Sequence, residues 1–160
     1  MNINIEINQN QFSLHPSGAI FWKEKEMLLI ADVHLGKVSH FRKHGAAIPA
    51  NAAFKNLEKL TEIANQFQPK TICFLGDLFH STLNEEWQDF EKWVEYTKAE
   101  VILISGNHDI IPNYLYEDLG VKVFDELLLN GFHLTHHPSE MDEVYAIVDG
   151  EVICVSKKSS

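Results

Sequence analysis

The stretch "VILISGNHDI", residues 101–110, joins a strand-like apolar run to a group of polar side chains. The run stops abruptly at Gly106, Asn107, His108 and Asp109. Gly and Asn are ordinary turn residues, but a turn does not call for a neighbouring imidazole and carboxylate. The end of this strand is therefore a candidate functional site.

Two earlier apolar runs end in the same way. "LLIADVHLGK", residues 28–37, ends in Asp32 and His34, and "ICFLGDLFH", residues 72–80, ends in Asp77 and His80. Each ending taken alone is explained by turn chemistry, but the repetition on separate predicted strands is not. In a parallel sheet the carboxyl ends of adjacent strands form one ligand-binding crevice, so these endings are expected to converge.

The spacing of apolar residues predicts the fold class. Helical patterns follow Pro49 and Asn84 and alternate with strand-like runs, which indicates parallel strands joined by crossover helices. Nearer the end of the sequence, Asn130-Gly131 and Asp149-Gly150 each separate two apolar runs, as in tight hairpins. We predict an α/β fold with helices packed on the faces of the sheet.

Composition narrows the class of protein. The 160 residues, 45% of them hydrophobic, suit one compact domain over residues 1–160. No apolar run is long enough for a membrane span, and the first residues do not resemble a signal peptide, so we expect a cytoplasmic protein without a membrane partner. The formal net charge of -10 argues against electrostatic coating of nucleic acid. Cys73 and Cys154 lie in apolar runs and are predicted to be structural.

The polar endings favour a metal site. "HLTHHP", residues 133–138, adds His136 and His137 after a further predicted strand. Carboxylates, imidazoles and an amide oxygen form a mixed donor set that suits Mn, Fe or Zn. A dinuclear metal centre is therefore plausible from the residues alone.

The order of these motifs resembles a known family. "DVH", "GDLFH", "GNHD" and "HHP" look like the motifs of the calcineurin-like metallophosphoesterases. "GAIFW", "ADVHLGKVSHFRKHG" and "LGDLFHS" narrow the resemblance to the bacterial DNA-ligase-associated (PdeM-type) metallophosphoesterases. The resemblance extends from near the start of the sequence to about residue 138. It implies a sandwich-like α/β fold with central β-sheets flanked by helices, shortened at its C-terminus.

The resemblance implies a ligand set for two divalent metal ions. Asp32 and His34 would bind one ion, Asp77 would bridge both, and Asn107 and His136 would bind the second. Manganese is the expected metal, with iron or zinc as alternatives. His137 is the less favoured ligand beside His136.

Further residues are assigned to the substrate. His108 is expected to stabilise the transition-state oxygen or protonate the leaving group, with Asp109 orienting it. Lys37 and Arg42 are candidates for binding the substrate phosphate, although solvated loop charges explain them equally well. His80 would either support a ligand or contact the phosphate.

One departure from the family pattern bears on activity. A Gly-His-x-His motif would be expected after "HHP", but no His follows His137, and residues 145–155 read "YAIVDGEVICV". Asp149 and Glu151 have the spacing of replacement ligands, yet we favour a hairpin turn at Asp149-Gly150. The domain is therefore expected to be incomplete or altered at its C-terminus, and a homodimer could cover an exposed sheet edge.

Two classes of function follow. The first is a metal-dependent phosphoesterase that hydrolyses phosphodiesters in a nuclease-like reaction. Nucleic acid is then a candidate substrate, and by resemblance DNA-repair proteins are candidate partners. The second is a catalytically impaired relative that serves as a metal-binding or partner-binding scaffold.

Overall fold

The computed structural model describes residues 2–31, 52–76, 78–79, 85–105, 111–136, 144–148 and 151–155. In these ranges the chain forms eleven strands and three helices. The strands are β1 (Ile3–Ile7), β2 (Asn10–Leu14), β3 (Ile20–Trp22), β4 (Met27–Ile30), β5 (Thr71–Leu75), β6 (Glu100–Ile104), β7 (Lys122–Phe124), β8 (Leu127–Leu129), β9 (Phe132–Thr135), β10 (Val144–Val148) and β11 (Glu151–Val155). The helices are α1 (Ala52–Phe67), α2 (Glu85–Tyr96) and α3 (Asn113–Asp118).

The larger sheet has seven strands in the order β1-β2-β3-β4-β5-β6-β7. The first four strands pair antiparallel, whereas β4, β5, β6 and β7 pair parallel. The connections that link these parallel strands contain α1, α2 and α3 in turn. This arrangement confirms the predicted crossovers and places the carboxyl ends of β4, β5 and β6 at one edge of the sheet.

The smaller sheet has the order β11-β10-β9-β8. The predicted Asn130-Gly131 hairpin joins β8 to β9, with positive φ angles of 50° and 79° at its two turn residues, as a tight two-residue turn requires. β9 and β10 pair parallel, and β10 and β11 pair antiparallel with Val148 opposite Glu151. The pairing of β10 with β11 confirms the second predicted hairpin, while its turn residues lie outside the described ranges.

The larger sheet is covered on both faces. Along β5, Ile72 and Phe74 pack in the cluster that contains the helices, whereas Cys73 and Leu75 pack in the cluster that contains Phe132 of β9. Burial on both faces explains why the parallel strands read as continuous apolar runs rather than alternating ones. The molecule therefore has a helical layer, a seven-stranded sheet and a four-stranded sheet, which confirms the predicted sandwich-like α/β fold.

An aromatic cluster fills the interface between the larger sheet and α2. The Phe79 ring lies 5.3 Å from that of Trp87 and 5.4 Å from that of Phe90, and Tyr116 of α3 joins the group. Trp87, Phe90 and Trp93 are buried, so they form core rather than a base-stacking surface.

Three elements were not predicted from the sequence. β2 has the polar sequence NQFSL, and it is defined by antiparallel pairing with β1 across Asn8 and Gln9, whose φ angles are 48° and 63°. α3 has six residues and β7 has three, so neither is long enough to show a periodic pattern. Partner strands and tertiary packing determine these elements.

Candidate functional site

The candidate site begins where the parallel strands end. Ile30 of β4 is paired with Phe74 of β5, and Leu75 of β5 is paired with Ile104 of β6. The strand tips are therefore neighbours, and each is followed within a few residues by one of the predicted polar motifs. The topology agrees with the convergence expected from the sequence.

His136 is the predicted ligand whose position the structure describes. It directly follows β9 in the smaller sheet and is buried, with 9% of its surface exposed. Its Nδ1 lies 2.9 Å from the carbonyl oxygen of Leu75, the last residue of β5. This hydrogen bond joins the tip of the smaller sheet to the central tip of the larger sheet, two residues before Asp77.

The hydrogen bond with Leu75 defines the chemistry of the His136 ring. A backbone carbonyl only accepts hydrogen bonds, so Nδ1 carries the hydrogen and donates it. A neutral imidazole in this tautomer has its lone pair on Nε2, and histidine ligands in metal sites commonly donate their other ring N–H to a carbonyl or carboxylate in this way. The observed contact therefore fits the donor chemistry of a metal ligand.

The residues on either side of Asp77 are firmly placed. Leu75, Leu78 and Phe79 are fully buried, and Gly76 has a positive φ of 81°. Leu75 ends a strand paired with β6, and the Phe79 ring lies in the aromatic cluster. The described residues on both sides of Asp77 are therefore tied to the core, those before it through β5 and those after it through the aromatic cluster.

The segment with the Gly-Asn-His-Asp motif is bounded in a similar way. The Ser105 N–H donates a hydrogen bond to the Phe124 carbonyl at 2.9 Å, which continues the contact between β6 and β7. Beyond the motif, Ile111 is buried in the helical core cluster. Both flanks of the motif are thus tied to the core of the larger sheet.

Most of the predicted site residues lie outside the described residues. These are Asp32, His34, Lys37, Arg42, Asp77, His80, Asn107, His108, Asp109, His137 and Asp149. Glu151 lies in β11, but its side chain is not among those described. Within the described ranges, no three His, Cys, Asp or Glu side chains are grouped so that they could hold a metal ion. The ligand set assigned by resemblance therefore stays a prediction.

The remaining described candidates have structural roles. Burial raises the pKa of the Cys73 thiol to about 12, so at neutral pH this residue is an unreactive part of the core, as predicted. His133 is buried, and its Nε2 lies 2.7 Å from Oε2 of Glu126.

Two parts of this site were not identified from the sequence. The Leu75 carbonyl is a backbone group, which has no signature in the sequence. Gly76 does have a usable signal, since a glycine between a buried strand and a polar motif often marks a positive φ or a close approach of another group. Both features emerge only when β9 is placed against β5.

Comparisons with known proteins agree with this arrangement. A model described as calcineurin-like phosphoesterase matches residues 26–159, which is most of the chain. The chain belongs to the calcineurin-like phosphoesterase family. This family generally binds divalent metal ions, and its name denotes hydrolases that act on phosphate esters.

Solved structures of similar fold extend the comparison. This phosphoesterase-family chain superimposes on the crystal structure of Pseudomonas putida nuclease MPE with a TM-score of 0.76 and 26% sequence identity, covering 91% of this chain and 71% of that one. A protein of unknown function from Aquifex aeolicus, AQ665, has a TM-score of 0.50 and 18% identity, covering 70% of this chain and 60% of that one. The Aquifex likeness supports the fold alone. A comparison with curated proteins gave no match.

The described helices do not resemble membrane spans. In the part of the chain that the structure describes, none of them combines the length and apolar character needed to cross a bilayer.

Proposed function

We propose that the chain is a metal-dependent phosphoesterase that hydrolyses phosphodiesters in a nuclease-like reaction. The observation that carries this proposal is the hydrogen bond from His136 Nδ1 to the Leu75 carbonyl, because it brings a histidine of ligand-like tautomer to the strand tip that leads into Asp77. Membership of the calcineurin-like phosphoesterase family supports the class of reaction.

Five residues would hold the two ions. Asp32 and His34 would bind one ion, Asn107 and His136 the other, and Asp77 would be shared by both. Their oxygen and imidazole donors suit manganese, with iron or zinc as alternatives. Four of the five follow the ends of β4, β5, β6 and β9 by one to three residues, and the fifth, His34, belongs to the same motif as Asp32.

The bound ions would supply Lewis-acid stabilisation of the phosphoryl oxygens and would lower the pKa of the attacking water. The chain's own residues would then act on the substrate. His108 would stabilise the transition-state oxygen or donate a proton to the leaving group, and Asp109 would orient its imidazole. Arg42, Lys37 and His80 would contact the phosphate, Arg42 through a paired hydrogen bond.

A nucleic-acid phosphodiester is the substrate class that we favour. The Pseudomonas protein that shares this fold at 26% identity is a nuclease. A formal net charge of -10 gives little long-range attraction for nucleic acid, so metal ions rather than basic side chains would have to draw the phosphate into the site. By resemblance to the PdeM-type enzymes, we extend the proposal to a cytoplasmic role beside DNA-repair proteins.

The sequence after His137 favours a second candidate function. No histidine follows that position, whereas the family pattern resembled here includes a Gly-His-x-His pair that completes both metal shells. A relative in which both shells are incomplete could bind a metal or a partner, as a monomer or a homodimer, without hydrolysing a substrate. The pairing of Val148 with Glu151 supports a turn at residues 149 and 150 rather than replacement ligands.

The test is Mn²⁺-dependent hydrolysis of an aryl phosphodiester by the purified chain. Asp77→Asn removes charge from the shared ligand, and Asp118→Asn, at an exposed position in α3, is the matched control. The proposal expects activity in the wild type and in Asp118→Asn, with at least a hundredfold loss in Asp77→Asn. Activity that is equal in all three proteins would indicate a contaminant and would refute the assignment.

Metal stoichiometry separates the two functions. Two Mn²⁺ ions bound per chain, measured by elemental analysis after gel filtration, would support the enzyme. One ion or none, together with absence of hydrolysis in a folded sample, would support the scaffold.

A further inference from the structure

Gly76 lies between the tip of β5 and Asp77, and it makes a close contact with His136. Its φ of 81° lies in the left-handed region, which glycine adopts at little cost. The His136 imidazole lies over the face of Gly76 where any other residue would carry its side chain. The position is therefore restricted twice, once by the backbone and once by the neighbouring ring.

The second restriction is steric and severe. A Cβ added at Gly76 would lie 2.3 Å from Nδ1, 2.5 Å from Cγ and 2.9 Å from Cβ of His136. Rotation about χ2 moves Nδ1 but leaves Cγ and Cβ in place, so turning the ring cannot relieve the overlap. A side chain at this position would have to displace His136 through χ1 or through its backbone, and the Nδ1 contact with Leu75 would be lost.

We propose that Gly76 is a positioning residue for His136. The missing side chain lets the imidazole lie across the end of β5, where the Leu75 carbonyl holds the hydrogen on Nδ1 and fixes the orientation of the ring. Gly76 thereby couples the tip of the smaller sheet to the tip of the larger one. The consequence for metal binding rests on the proposed function, because that function takes His136 as a metal ligand. The packing of His136 against Gly76 does not depend on the proposed function.

Gly120 supplies the matched control. Its φ of 87° is close to that of Gly76, but an added Cβ would meet nothing within 4 Å. Gly76→Ala and Gly120→Ala therefore carry a similar backbone strain, and only Gly76→Ala adds the overlap with His136. A difference between the two variants reports the contact with the ring.

The first measurement uses the metal-free protein. Long-range ¹H–¹⁵N NMR of the histidine rings, with His136 assigned from the spectrum of His136→Gln, reports which ring nitrogen carries the hydrogen. We expect the Nδ1–H form at His136 in the wild type and in Gly120→Ala, and its loss in Gly76→Ala. A Gly76→Ala spectrum that retains this form at His136 would overturn the proposal.

A double-mutant cycle covers the case in which Gly76→Ala folds poorly. His136→Ala removes the two atoms that would overlap most, so Gly76→Ala should lower the melting temperature less in that background than in the wild type. The loss that remains in that background reflects the backbone strain shared with Gly120→Ala and the contact with the Cβ of residue 136 at 2.9 Å. An equal loss from Gly76→Ala in both backgrounds, or a double variant that also fails to fold, would overturn the proposal.

The second measurement is Mn²⁺ binding by titration calorimetry. Displacement of a ligand's supporting contacts typically weakens metal affinity by about 10- to 100-fold, which is the loss expected for Gly76→Ala. Gly120→Ala should bind within about twofold of the wild type, as a site without contacts to the ligand should. Unchanged affinity in Gly76→Ala would refute the role in metal binding, whereas a wild type that binds no Mn²⁺ would refute the proposed function and leave the NMR result to decide the packing.

Discussion

Replacement of Asn10 by Ala should lower the stability of the fold, because the buried Asn10 side chain connects three parts of the structure. Its Oδ1 accepts hydrogen bonds from Trp22 Nε1 at 3.0 Å and from Asn130 Nδ2 at 3.4 Å, and its own Nδ2 donates to the Asn8 carbonyl at 2.8 Å. Asn130 begins the turn before β9, the strand that leads to His136. The amide of Asn10 thus links β2 and β3 of the larger sheet to the hairpin that carries the candidate ligand.

The cost of Asn10→Ala follows from the environment of its partners. Trp22 is 0% exposed, so its indole N–H would lose its partner in a place with little access to water. A buried donor without a hydrogen-bond partner costs about 1–3 kcal/mol. The carbonyl of the exposed Asn8 can instead accept a hydrogen bond from water. We expect a loss of about 2 kcal/mol in the free energy of unfolding, which lowers the melting temperature of a chain of this length by roughly 4–8 °C.

Urea denaturation followed by far-UV circular dichroism measures this loss. Asn4→Ala is the control, since Asn4 is an exposed residue of β1 whose bond to Ser13 is also exposed, and we expect a change within about 0.5 kcal/mol. In a Trp22→Phe background, which lacks the indole donor, Asn10→Ala should cost at least about 1 kcal/mol less than in the wild type. An Asn10→Ala cost no greater than that of Asn4→Ala, or one unchanged by Trp22→Phe, would refute the reasoning.

Three further predictions concern the core and the hairpin. The Cys73 thiol, with its pKa raised by burial from 9.0 to about 12, should resist a thiol reagent at pH 8 until the chain is unfolded in urea. The unfolded thiol ionises near pH 9 and the folded thiol near pH 12, so the folded state is favoured fully below pH 9. This contribution of Cys73 to stability is lost as the pH rises from 9 towards 12. A Cys73→Ala variant that shows the same alkaline loss of stability would contradict this assignment. Phe90→Ala should lower the free energy of unfolding in urea by about 3–5 kcal/mol, because the ring is fully buried among aromatic neighbours. Tyr96→Ala on the same helix, where the residue is 71% exposed, should change it by less than about 0.5 kcal/mol. Similar losses for both variants would be inconsistent with the packing. Asn130→Val should cost roughly 1–2 kcal/mol by the same assay, since a β-branched residue is strained at a φ of 50°, and a neutral substitution would count against the observed turn.

The wider consequence of the fold is that the proposed site would draw on both sheets. The tips of β4, β5 and β6 come from the larger sheet, and His136 comes from the smaller one. Perturbations that separate the sheets, such as Asn10→Ala, should therefore weaken Mn²⁺ binding as well as stability. Perturbations inside the helical layer, such as Phe90→Ala, should act on stability first, because that layer covers the opposite face of the larger sheet.

Local sequence patterns determined much of this protein. Apolar runs as long as single strands, separated by helices with apolar faces, indicated a parallel sheet covered on both sides. The Asn130-Gly131 pair indicated a tight hairpin, because these residue types accept positive φ angles. Repeated Asp and His residues directly after the strands predicted a candidate site at the strand ends, and the motifs they form resembled the family to which the chain belongs. Such features are encoded within a few residues, so they can be read without knowing which segments meet.

Tertiary structure alone decided how the two sheets are joined. Asn10 contacts Asn130 across 120 positions of sequence, and His136 contacts Leu75 across 61. Neither pairing has a local signature, and in the second the acceptor is a backbone carbonyl that every residue possesses. The same reason explains why β2 and β7 were missed, since short strands owe their existence to the neighbour they pair with. The fit of His136 against Gly76 is likewise a property of two segments packed together, because neither segment encodes it separately.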